Sequence, residues 1–80
     1  MIRLRLKKLR GRQYKFSTRE LYREIINYLT GSKIICTDEH GYKIMTEIDK
    51  VDVSNRIIYL KVAIKGKEIE CEVVGEEEEV

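Results

Sequence analysis

Eighty residues carry 16 Lys or Arg against 14 Asp or Glu, a formal net charge of +2, with 42% hydrophobic and 38% charged residues. A chain this short has room for one domain with a thin core, and its apolar fraction is too high for wholesale disorder. No apolar run approaches the ~20 residues of a membrane span, and Met1-Ile2-Arg3-Leu4-Arg5 alternates charge with apolar residues, unlike a secretory leader. The expected setting is therefore cytoplasmic, with no membrane partner.

The first predicted element is a strand over Ile2–Lys7, with Ile2, Leu4 and Leu6 on one face and Arg3, Arg5 and Lys7 on the other. Leu9–Lys15 reads as a basic loop containing Gly11. Phe16–Gly31 reads as the only helix. Ser17 and Glu20 have capping-box spacing, Phe16 and Leu21 are placed for a hydrophobic staple, and Gly31 stands where a left-handed cap glycine belongs. Leu21, Tyr22, Ile25, Ile26, Tyr28 and Leu29 would form its apolar arc.

Lys33–Thr37 is a short strand, Asp38–Gly41 has the composition of a four-residue hairpin loop, and Tyr42–Val53 is a longer strand. Its apolar parity switches between Ile48 and Val51, which predicts a bulge near Asp49-Lys50. After a tight turn at Ser54-Asn55, Arg56–Lys65 alternates again. Gly66-Lys67 then suits a two-residue type II′ loop. That loop would pair Ile64 with Ile69, Val62 with Cys71 and Leu60 with Val73, with Lys65 and Lys61 opposite Glu68 and Glu72. The outer row Arg3, Arg5 and Lys7 also complements Glu68, Glu70 and Glu72, which would set the first strand beside the last.

The expected architecture is α+β: one helix on a mainly antiparallel sheet of about five strands, in the order β-α-β-β-β-β. Residues 1–75 would form this single domain, and 76–80 an acidic tail that frays. Cys36 and Cys71 form no C-x-x-C pair and sit in apolar strand patterns, so two reduced core thiols are the first expectation and a disulfide the alternative. Eleven Glu and nine Lys with no Pro follow the trend of heat-adapted proteins. That composition suits an archaeal or archaeal-virus source; an Ile- and Lys-rich genome would give it too.

Functional expectation rests on charge. Residues 1–33 hold ten basic residues against two acidic ones, a net of +8, whereas 34–80 hold six against twelve, a net of −6. Arg3, Arg5, Lys7, Lys8, Arg10, Arg12, Lys15 and Arg19 fall within 17 positions, with Tyr14 among them. Arginine forks suit phosphate, and an aromatic among them can stack on a base. Eight phosphate contacts to duplex DNA would give a log–log salt slope of roughly −7. The expectation is a non-enzymatic nucleic-acid-binding module, for DNA or RNA, using those nine residues.

The alternative is a protein-interaction or homo-oligomeric module, in which an exposed basic strand meets the acidic last strand or tail of a second copy. Asp38-Glu39-His40 reads as a polar turn rather than a metal site, and Asp49 with Asp52 has no completing ligand at a recognisable spacing. No cofactor is indicated. The Glu76–Glu79 run reads either as a solvated end or as a tethered polyanion competing for the basic stretch.

Overall fold

The computed structural model describes residues 2–17 and 29–74. They form six strands: β1 (Ile2–Arg10), β2 (Gln13–Phe16), β3 (Lys33–Thr37), β4 (Lys43–Asp52), β5 (Ile57–Leu60) and β6 (Glu68–Val74). All neighbours are antiparallel, and the sheet closes on itself in the order β1-β2-β5-β4-β3-β6. The α+β expectation of one helix on a sheet of about five strands is thus replaced by a closed barrel, all-β among the described residues. No helix among them is long and apolar enough to cross a membrane.

The central part of the expected helix, residues 18–28, lies outside the described residues, as do Leu21 of the staple, Glu20 of the capping box and the acidic tail at 76–80. The expected entry to that helix is corrected. Phe16 is the last residue of β2, paired with Leu6, and its N–H donates to the Arg56 carbonyl at 2.9 Å. Leu29 is buried in the core, and Gly31 takes a φ of 87° in the turn that leads into β3.

Alternation explains most of the barrel. Leu4 and Leu6 of β1, Tyr14 and Phe16 of β2, Ile34 and Cys36 of β3, Ile58 and Leu60 of β5, and Ile69, Cys71 and Val73 of β6 point inward. On β4, Ile48 and Val51 both reach the core because the register slips between Ile48 and Lys50, the bulge that the parity switch predicts. Each fully buried Leu or Ile contributes about 1.5–3 kcal/mol. The β3–β4 hairpin also follows the sequence reading. Asp38 N–H bonds the Tyr42 carbonyl (2.9 Å), and Gly41 N–H bonds that of Asp38 (3.0 Å).

Two stretches fold differently from their local signals. Leu9–Lys15 is not a loop: Gly11-Arg12 is a two-residue connection between β1 and β2, with Gly11 at φ 55°, and Gln13–Phe16 alternates outward and inward. Lys61–Lys67, in contrast, is not half of a terminal hairpin. β5 pairs with β2 and β4, and β6 with β1 and β3, so Ile64, Val62 and Leu60 do not face Ile69, Cys71 and Val73.

The stretch from Lys61 to Lys67 instead crosses from β5 to β6, burying Ile64 completely and leaving Val62 exposed. The buried Tyr14 hydroxyl accepts from the Ile64 N–H (2.6 Å) and donates to its carbonyl (3.1 Å). Glu39 N–H bonds the Lys65 carbonyl and Lys8 N–H that of Lys67. Gly66, at φ 125°, passes so close to Glu39 and Ile69 that a Cβ would lie 3.3 Å from each. The long-range bonds of Tyr14 and Lys8 thus replace the local pairing the Gly-Lys signal suggested.

Cys36 and Cys71 are opposed in the β3–β6 ladder with Cα atoms 4.0 Å apart, and they form a disulfide. This corrects the expectation of two reduced thiols: the strand pairing juxtaposes residues that stand 35 positions apart in sequence.

Candidate nucleic-acid interface

The structure divides the basic residues of the N-terminal third by the strand they face. Toward β6, Arg3, Arg5 and Lys7 stand in register with Glu72, Glu70 and Glu68. Arg3 Nε lies 3.1 Å from Glu72 Oε2, and an Arg5 guanidinium nitrogen 2.9 Å from Glu70 Oε2. The complementarity that sets the first strand beside the last therefore also spends these arginines on carboxylates. A surface concavity of about 450 Å³ opens over this region, lined by both arginines, both glutamates, Ile35, Thr37 and Lys43. Both of its arginines are already paired with its glutamates.

Toward β2 the picture reverses. Lys7 stands opposite Lys15, and Arg10 opposite Gln13 across the hairpin. Arg10, Arg12 and Lys15 are exposed, and among the described residues no ion pair involves them or Lys7. Continuing around the barrel, Gln13 pairs with Tyr59 and Tyr59 with Lys50, while Lys15 pairs with Ile57 and Ile57 with Asp52. Lys50 Nζ lies 4.5 Å from the centroid of the Tyr59 ring. The Asp52 carboxylate is occupied at the next turn, accepting from Asn55 N–H (3.2 Å) and Asn55 Nδ2 (2.9 Å). The Asn55 side chain, then its backbone, holds the Asp52 carboxyl below the usual carboxylate range.

Two residues of the expected set turn inward. Tyr14 is fully buried, with both sides of its hydroxyl bonded to Ile64, so no face of its ring is open to a base. Lys8 is half-buried and donates from Nζ to the Ile64 carbonyl at 3.1 Å, with its ammonium 5.8 Å from the Tyr14 ring centroid. Both serve the barrel interior and not its surface. Arg19 lies outside the described residues.

Sequence reasoning passed over Tyr59, half-exposed on the outer face beside Lys50. A signal for it existed. Its parity is opposite to that of Ile58 and Leu60, which marks an outward aromatic on an otherwise apolar strand. The polar turn at residues 38–41 is built as such. Asp38 Oδ1 accepts from the N–H groups of His40 and Tyr42, both at 2.9 Å, and His40 Nε2 lies 3.5 Å from Glu39 Oε2. Among the described residues, no three His, Cys, Asp or Glu side chains gather closely enough to hold a metal ion.

The assembly alternative required β1 as an exposed edge. β1 is paired on both sides, with β2 and β6, and Glu70 and Glu72 of the same chain meet its arginines; the acidic tail, the other contact of that alternative, lies outside the described residues. No protein-family model, curated protein or solved structure matches this chain.

Proposed function

We propose that this protein is a small nucleic-acid-binding module rather than an enzyme, holding phosphate through Lys7, Arg10, Arg12 and Lys15. The observation that carries the reading is the unequal pairing of the basic residues. Arg3 and Arg5 meet carboxylates within 3.1 Å, whereas among the described residues these four cations have no ion-pair partner. Cations left without partners on one face form a positive field that attracts polyanions. The two-residue Gly11 loop supports it further by presenting Arg10 and Arg12 from a tight hairpin rather than a floppy segment.

The proposed setting is the cytoplasm of a heat-adapted cell. A buried disulfide in a cytoplasmic protein is the hyperthermophile exception to the redox rule, and the Lys and Glu enrichment fits the same setting. A mobility-shift assay at about 50 mM salt tests the binding. Retention of DNA or RNA that weakens steeply with added salt is expected, and no retention of either would end the reading.

A further inference from the structure

We infer that the outer face of β2, β5 and β4 binds single-stranded nucleic acid, with one base stacked on Tyr59. This deepens the proposed phosphate-binding reading and rests on it. Single strands differ from duplexes in offering unpaired base faces, so a site selective for them needs an outward aromatic set among cations. Tyr59 is such a residue, with Gln13 of β2 on one side and Lys50 of β4 on the other. Lys15 stands in the adjacent row, and the Leu60 N–H bonds the Arg12 carbonyl at 3.0 Å, which brings the Arg12 loop beside the same strand.

The ammonium of Lys50, 4.5 Å from the ring centroid, occupies a place that a base would take. An exposed cation over an aromatic face is worth about two- to fivefold in an equilibrium, and a stacked base about five- to 150-fold. Exchange of one for the other is therefore favourable, and the displaced ammonium is then available to the neighbouring phosphate. Tyr42 is more exposed, at 70%, but it follows the acidic Asp38-Glu39 turn, where phosphate is repelled. Tyr14 is excluded by burial.

The test is fluorescence anisotropy with labelled 12-nucleotide single strands of DNA and RNA and a 12-base-pair DNA duplex, at about 50 mM salt. Wild type should prefer a single strand to the duplex. Tyr59→Ala should weaken single-strand binding at least about fivefold with duplex binding within about twofold, whereas Tyr59→Phe and Tyr42→Ala should stay within about twofold of wild type. Thermal melting checks that Tyr59→Ala is folded. Independently of any variant, the Tyr59 ring proton resonances of the wild-type protein should move upfield on adding the single strand.

Equal single-strand affinity of Tyr59→Ala and wild type, or unmoved Tyr59 resonances in a bound complex, would overturn the stacking inference while leaving phosphate binding intact. Tighter binding of the duplex would overturn the single-strand preference. Wild type that binds none of the three would remove the proposed function itself.

Discussion

Strand β1 borders two faces that start from the same chemistry. Toward β6, each cation of its outer row stands opposite a glutamate, and Arg3 and Arg5 close ion pairs with Glu72 and Glu70. Toward β2, Lys7 stands opposite another lysine and the arginines continue onto the hairpin loop. Exposed ion pairs of the first kind contribute only about 0–1 kcal/mol to stability, so their larger effect is to cancel charge. One sequence of cations thus yields a face that is electrostatically quiet and a face that is not. Local composition sets how many cations there are, while strand pairing decides which of them are left over.

The largest expected effect concerns what lies behind the quiet face. The Cys36–Cys71 disulfide joins β3 to β6 across a sequence separation of 35, and loop-closure entropy assigns a bridge of that span about 4 kcal/mol. Denaturant unfolding of the oxidised and reduced proteins should show most of that difference. Nucleic-acid affinity measured where both forms are folded should be the same. A folded, reduced barrel that no longer binds would mean the two faces are not independent.

Next comes Tyr14→Phe. Loss of the hydroxyl leaves the buried Ile64 N–H without its acceptor, while Lys8 still serves the carbonyl. Urea unfolding should show a loss of about 1–3 kcal/mol. Affinity per folded molecule should hold, in contrast to Tyr59→Ala.

The contrast itself is tested by paired substitutions. Arg10→Ala with Arg12→Ala should weaken binding about tenfold at low salt and flatten the single-strand salt slope by about 1.4. Arg3→Ala with Arg5→Ala should change it less than about twofold. Glu70→Gln with Glu72→Gln should do the reverse of the first pair, freeing both arginines and steepening the slope. Equal losses from the two arginine pairs would erase the distinction between the faces.

The smallest effect lies at the Asp52 turn. Hydrogen bonds from Asn55 lower the carboxyl pKa in the folded protein, so its contribution is present above the ordinary carboxylate pKa of about 3.9 and is lost as pH falls through the lowered folded value. Asp52→Asn should flatten the acid limb of the stability–pH curve, read from melting temperatures below about pH 4. An unchanged limb would show that the turn does not couple to folding.

The barrel itself is not legible in the sequence, but some of its pairings are, because register leaves marks on both faces of a strand. Arg3, Arg5 and Lys7 against Glu72, Glu70 and Glu68, and the parity switch at Ile48, are such marks, and both correspond to observed pairing. Lys61–Lys67 misled because it carries equally good marks for a pairing that does not occur. Its alternation suits a hairpin with β6, but β6 is held on both sides by β1 and β3, and the Tyr14 hydroxyl bonds both the N–H and the carbonyl of Ile64.

Gln13–Phe16 was hidden for the opposite reason. Four residues are too few to establish a period, and the basic flanks drew attention to charge. Tyr14 reads as a surface residue for the same reason, since an aromatic near arginines looks like a stacking residue whichever way its strand turns it. The barrel closure that fixes its orientation is a property of all six strands together, and no single stretch declares it.

The pairing of β1 with β6 has a consequence for how the molecule comes to be folded. Arg5 and Glu70 stand 65 positions apart, so the last seam of the barrel is its most non-local, the kind of contact that slows folding. Until β6 arrives, β1 and β3 each present an unpaired edge, and such edges invite pairing with another chain. The bare β1 edge at that stage carries Arg3, Arg5 and Lys7 without their glutamates, so two unfinished chains repel each other there. The arginines that are quiet in the finished barrel act earlier, as guards of a seam that has yet to close.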